Sequence, residues 1–126
     1  MTDMNKYLGG QYVEGGRVWP EIDCYGIVLE VRRDLGLPDW PEWAGVTKAG
    51  NGLHRAGMQQ AREVEPCEPQ AGAVAACYSG SLLTHVAVVV DCDGLLHALE
   101  CNPRRNVTCL PLRRFERRFV RVEYYR

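Results

Sequence analysis

The chain has no apolar run long enough to cross a bilayer: its aliphatic stretch Val86–Val90 has five residues, where about twenty are needed. No apolar segment follows a basic start at the N-terminus, so no signal peptide is expected. Six cysteines (24, 67, 77, 92, 101 and 109) include no CxxC pair and no Cys/His spacing of a zinc site. Neither a metal centre nor an extracellular disulfide framework is therefore expected, nor any cofactor. The cysteines read as free thiols, several packed as small hydrophobes. An excess of one charge is also missing: 15 basic groups stand against 16 acidic ones. Bulk electrostatics thus names no partner, and neither nucleic acid nor an inserted membrane segment is expected. No repeat, low-complexity tract or boundary divides the 126 residues, which suit one domain, 1–126, with a proper core.

The charge that is present is unevenly placed. Residues 104–126 hold eight arginines and two glutamates, leaving seven basic and fourteen acidic groups in residues 1–103. Two readings stay open for Arg113, Arg114, Arg117 and Arg118: a surface for an acidic neighbouring protein or anionic polymer, or a merely solvated face.

Glycine pairs and Trp19-Pro20 make residues 1–23 a shaped loop with at most one short helical turn. From Asp23 the pattern turns helical. Cys24, Ile27, Val28, Val31 and Leu35 share one face, Asp23 caps the start, and Gly36 followed by Leu37-Pro38 stops it. Residues 38–52 read as irregular loop, and a second helix is expected over 53–64, ended by Pro66 and Pro69. Beyond Gly72 the rhythm is β: 74–78, 85–90, 95–99, 107–110 and 120–124, with a hairpin signal at Asp91-Cys92-Asp93-Gly94 and a helical turn or two within 113–119. Helices first and an antiparallel sheet afterwards is an α+β layout.

Three side chains suggest chemistry. Cys24 opens a helix, where unpaired backbone N–H groups favour a thiolate and can donate to an oxyanion. A cysteine simply packed on the helix's inner face fits the same pattern. His85 opens a buried strand sixty-one residues later, a rigid place from which to take a thiol proton. A core histidine satisfied by a carbonyl also fits. His97, twelve residues on, is placed on the next strand, where a contact with His85 would fix its tautomer. Tyr12, in the glycine-rich loop, either points its hydroxyl into the cleft or packs on the sheet edge. His54 reads as structural.

Tyr12-Val13-Glu14-Gly15-Gly16, then Asp23-Cys24-Tyr25-Gly26 entering a helix that ends Leu35-Gly36-Leu37-Pro38, resembles the N-terminal motif of the NlpC family, papain-like cysteine peptidases of bacterial cell walls. Glu68-Pro69-Gln70-Ala71-Gly72-Ala73-Val74 is similar to that family's loop into its first strand. His85-Val86-Ala87-Val88 and Leu95-Leu96-His97-Ala98 are similar to its histidine-bearing hairpin. The likeness runs from about Leu8 to Leu99. The aromatic after the cysteine and the ending Arg121-Val122-Glu123-Tyr124-Tyr125-Arg126 resemble the branch of tailed bacteriophages, whose domain sits at the tail tip of the virion. Tyr25 stands where the family commonly has serine, Gly72-Ala73 where it often has Gly-Asp, and Glu14 where tryptophan usually precedes the glycine pair.

The resemblance implies a papain-like fold with the cysteine helix packed on an antiparallel sheet. It implies hydrolysis of an amide in peptidoglycan stem peptides, typically between the γ-carboxyl of D-glutamate and a diamino acid. Cys24 would be the nucleophile, His85 the base and acid, and His97 the orienting residue, with Tyr12 and Tyr25 beside the oxyanion and substrate. The protein would be made in the host cytoplasm, carried at the tail tip against other tail-tip or hub proteins, and would act in the cell wall. Two other functions are compatible with the same residues. One is a structural tail-tip component working through Arg113, Arg114, Arg117 and Arg118. The other is a thiol amidase or acyltransferase with a different acyl donor.

Overall fold

The computed structural model describes residues 4–126. The fold is α+β, with the elements arranged as helices first and a five-stranded antiparallel sheet after them. Helix α1 (Met4–Tyr7) is the short turn expected near the start. The rest of the first segment is more ordered than a loop. Strands β1 (Gln11–Tyr12), β2 (Arg17–Val18) and β3 (Glu21–Ile22) form a small sheet in the order β1-β3-β2. Two-residue strands leave no period to read, so their pattern is invisible in the sequence.

Helix α2 (Cys24–Asp34) begins where the apolar spacing placed it. The Asp23 carboxylate accepts hydrogen bonds from the amides of Tyr25 and Gly26 at 3.0 and 2.8 Å. At the other end Gly36 takes φ +74°, its amide bonds Arg33 O, and the Leu37 amide bonds Arg32 O. That pair of bonds is a Schellman closure, which needs a left-handed residue at this position. Ile27, Val28 and Val31 are fully buried, whereas Leu35, expected on the same face, is the cap residue after the last helical turn and is exposed.

The start of α2 is set by backbone contact. A Cβ on Gly26 would fall 2.5 Å from Gly16 O, and one on Gly16 would fall 2.5 Å from Glu21 O. Neither site has room for a methyl group, so helix and loop pack main chain to main chain.

A 3₁₀ turn (Ala49–Asn51) leads into α3 (Gly52–Ala61), which stops three residues short of the expected end. The main sheet follows: β4 (Val74–Ser79), β5 (Leu82–Cys92), β6 (Leu95–Asn102), β7 (Asn106–Pro111) and β8 (Arg121–Tyr125), ordered β7-β6-β5-β4-β8. Helix α4 (Leu112–Glu116) lies between β7 and β8. The β5–β6 hairpin turns at Asp93 and Gly94, both with positive φ, and the Gly94 amide bonds Asp91 Oδ1 at 2.7 Å. Positive φ at both central residues is the type I′ geometry that suits strand twist.

Both faces of the sheet are covered, which explains apolar runs without alternation. Val86, Val88, Val90, Leu99 and Cys101 pack under α2. Ala73, Ala75, Cys77, Ala87, Val89 and Ala98 face the other way, where their small side chains make room for Phe115 of α4. Burying that phenylalanine contributes about 1.5–3 kcal/mol. Among the described residues no helix is long and apolar enough to cross a membrane.

Candidate active site

Asp23 does more than cap α2. Its Oδ1 also receives Arg17 Nη1 at 2.7 Å, and both side chains are nearly inaccessible to water. The Arg17 guanidinium donates further to the carbonyls of Gly16, Glu42, Trp43 and Val46. One buried pair therefore ties the 38–48 loop to the cysteine helix. Replacing Asp23 by alanine removes a cap and strands a buried guanidinium, so we expect a loss of roughly 3 kcal/mol. Asp23→Asn, which keeps the accepting oxygen, should recover part of it. Chemical denaturation measures both, and an unchanged midpoint for Asp23→Ala would contradict this role.

Cys24 is buried at the first position of α2, among Val86, Cys101 and Ile22. Burial pushes its thiol up; the Lys48 charge and a hydrogen bond from the Val86 amide oppose that, and Asp23 adds to it. The helix N-terminus was expected to favour a thiolate, but desolvation outweighs it and the resting thiol is neutral. The Tyr25 and Gly26 amides are taken by Asp23, so the helix's first turn offers mainly the Cys24 amide to an oxyanion.

His85 lies one residue before Val86 and turns to the sheet's other face. There it sits beside Cys77 across the β4–β5 pairing and stacks on Phe119 with ring centroids 5.9 Å apart. A register shift between Cys77 and Tyr78 immediately precedes it. His85 Nε2 is 2.9 Å from Glu100 Oε1, and Nδ1 is 3.2 Å from Lys48 Nζ. An ammonium only donates, so Nδ1 is the accepting nitrogen and Nε2 carries the hydrogen given to Glu100. Burial is the main force pulling the imidazole below its ordinary 6.5; Glu100 opposes it and Lys48 adds to it. This is a neutral base with its tautomer fixed by a carboxylate.

Glu100 is the buried anion of the site, with no exposed surface. Asn102 Nδ2 donates to Oε1 at 3.1 Å, and Arg118 Nη1 to Oε2 at 2.5 Å. The Arg118 guanidinium also lies over Phe119, 5.2 Å from its centroid. Arg118, one of the four arginines open to reading as a contact surface or a solvated face, bonds Glu100 within the chain. Arg113, Arg114 and Arg117 are exposed.

His97 is not the residue that meets His85. The register pairs it with Val90 on one side and Pro111 on the other, five places along β5 from His85, and its Nδ1 lies 3.1 Å from Leu95 O. Identity of type suggested His97, but register decides contact, and the residue it delivers is Glu100. Among the described residues no hydrogen bond joins Cys24 to His85. Lys48 stands between their environments, bonded to one and acting electrostatically on the other.

Tyr12 is close enough to feel Cys24. Burial first, then Cys24 and Asp23, push its phenol up to about 12, which keeps it a hydrogen-bond donor. Its amide is held by Asn106 Oδ1 at 2.9 Å. Tyr25 points elsewhere. Its hydroxyl donates to Pro41 O at 2.6 Å, Arg17 lies over its ring, and it lines an apolar cavity of about 50 Å³ with Trp43, Leu83 and Val86. With its amide also engaged, Tyr25 shapes the wall and does not face an oxyanion. His54 Nδ1 accepts from the Leu83 amide at 3.0 Å, a structural use.

All six cysteines are free thiols, and among the described residues no group of three or more His, Cys, Asp or Glu side chains is arranged to hold a metal. Glu100 had a signal in the sequence, a lone carboxylate inside the apolar stretch Leu95–Cys101; Lys48 had none. No family model matches the chain, and no curated protein matches it in sequence.

Proposed function

We infer that the chain is a papain-like, NlpC-type cysteine peptidase that cuts a stem-peptide amide in peptidoglycan, working at a bacteriophage tail tip during passage through the cell wall. The observation that carries this reading is the state of His85. Its Nε2–H is committed to a buried carboxylate, while Nδ1 keeps its lone pair as an acceptor, met in the free protein by Lys48 Nζ at 3.2 Å. That is the tautomer a thiol's base needs.

The chemistry assigns one role to each group. Cys24 gives its proton to His85 Nδ1 as the Sγ–C bond forms on the attacked carbonyl, and negative charge passes to the carbonyl oxygen. The Cys24 amide and the Tyr12 hydroxyl would donate to that oxyanion. His85 then returns the proton to the departing nitrogen as the C–N bond breaks, leaving an acyl-enzyme. Water attacks the thioester, its proton passing to His85, and the acid product leaves as Cys24 regains a proton. Glu100 stabilises the imidazolium formed in both halves, the part given to His97 by family likeness. The steps require Lys48 to leave Nδ1 and the Cys24 side chain to rotate toward it.

A second reading, a tail-tip component acting through protein contacts, is favoured by the neutral, buried Cys24 thiol and by the exposed Arg113, Arg114 and Arg117. One experiment separates the two. Purified sacculi are incubated with the protein and new termini are identified by mass spectrometry. Free γ-D-glutamyl and diamino-acid termini are expected. Their absence would leave the structural role, and transfer of the acyl group to an added amine would point to an acyltransferase.

A further inference from the structure

Lys48 is an exposed residue whose ammonium reaches in to the rim of the site, where no anion of the described residues pairs with it. Among the described residues it has no ion-pair partner: Asp23 is taken by Arg17, and Glu100 by His85 and Arg118. Its one hydrogen bond goes to His85 Nδ1, a neutral acceptor, at 3.2 Å. An ammonium is drawn more strongly to an anionic carboxylate than to a neutral ring nitrogen, because the two full charges attract. An arriving carboxylate would therefore draw the ammonium off the imidazole.

The loop that carries Lys48 is fixed on both sides. Arg17 holds the carbonyls of Glu42, Trp43 and Val46 before it, and the 3₁₀ turn and α3 follow it. The side chain is left as the mobile part, a four-carbon stem with a compact charge.

We propose that Lys48 is the substrate-recognition residue of this site: its ammonium covers His85 Nδ1 in the free protein and leaves to pair with a peptide carboxylate beside the scissile amide. The inference rests on the hydrolase reading and adds to it a substrate class, an acyl donor with a free carboxylate near the cut bond. Binding such a peptide uncovers the lone pair that takes the Cys24 proton, so recognition and activation are one event. Lys48 acts on the reaction through His85 and is a positioning residue as well as a binding one.

The test compares a γ-D-glutamyl–diamino acid peptide with a free α-carboxylate and the same peptide with that group amidated. Wild type should prefer the free acid by about tenfold or more in kcat/KM, as expected where a site holds a charged partner. Lys48→Met should lose the preference, its KM for the acid rising to that for the amidated peptide. Lys48→Arg should restore part of it. An undiminished preference in Lys48→Met, or an equal loss on both peptides, would overturn the proposal. NMR of the His85 ring nitrogens during titration with the free-acid peptide follows the exchange without turnover. Nδ1 should respond in wild type and start in the uncovered state in Lys48→Met, and no response in wild type also overturns it. A protein that shows the exchange yet cleaves neither peptide would sink the hydrolase reading and leave carboxylate recognition standing.

Discussion

Cys24→Ala is expected to release no new termini from sacculi, with the rate falling by about 10⁴-fold or more, as when a nucleophile is removed from a set of groups acting as a unit. The fold should survive. The change deletes one sulfur from a well-packed position and loses no cap, because Asp23 holds the helix start independently. A cost of about 1 kcal/mol is reasonable for so small a cavity. Muropeptide analysis reads the activity and thermal melting reads the fold. Cys77 and Cys101 are also buried thiols pushed up by burial, Cys101 to about 12, but unlike Cys24 neither opens a helix. A Cys24→Ala protein that still cuts would therefore end the mechanism in which Cys24 is the nucleophile.

Glu100→Ala should damage both stability and activity. The carboxylate anchors His85 within the core, and removing it leaves a neutral N–H donor buried with nothing to receive it, at a cost of about 1–3 kcal/mol. Arg118 is 44% exposed, so its share is screened by water and the figure rests on His85. Glu100→Gln, which keeps an accepting oxygen, should fold better yet lose about 10²–10⁴ in rate, because the imidazolium has no counter-charge.

Acid should weaken the wild-type protein in the same way. Burial alone would raise the Glu100 carboxyl, but the hydrogen bonds from His85 and Arg118 outweigh it and hold the group below its ordinary 4.5. The unfolded chain therefore binds this proton more tightly than the folded one, and the stabilisation is complete above 4.5 and lost as pH falls through the folded value. His85, pulled below 6.5 chiefly by burial, also binds its proton less well when folded, so its contribution fades once pH drops under that value. Melting temperature measured against pH should decline in wild type below 6.5, and Glu100→Gln should decline less steeply below 4.5, the remainder including Asp34, which is also held low. A flat wild-type profile across that range would contradict the assignment of a neutral His85 paired with an ionised Glu100.

The α+β order and the two elements that carry Cys24 and His85 were legible because each has an unambiguous local cause. Helix α2 has a capping aspartate, a 3.6-residue apolar stripe and a closing glycine, all within fifteen residues. The β5–β6 turn has Asp-Gly between apolar runs, and the structure turns there. What escaped was whatever depends on register or on distant loops. His97 and Glu100 are three residues apart on one strand, and only the pairing of Val88 with Leu99 decides which of them reaches His85. Lys48 arrives from a loop whose path depends on Arg17, thirty-one positions earlier, grasping its carbonyls. The small sheet of β1–β3 is held by six residues whose local composition says turn.

The close approach of Gly16 and Gly26 has a consequence for anyone wishing to move this reacting helix into another scaffold. With no side chain on either glycine, main chain meets main chain there with little give, and the helix inherits its height and tilt from the ribbon beneath it. Residues 10–26 therefore form one transplantable cassette, loop and first turn together. A graft taken from Asp23 onward would carry the nucleophile without the jig that aims it.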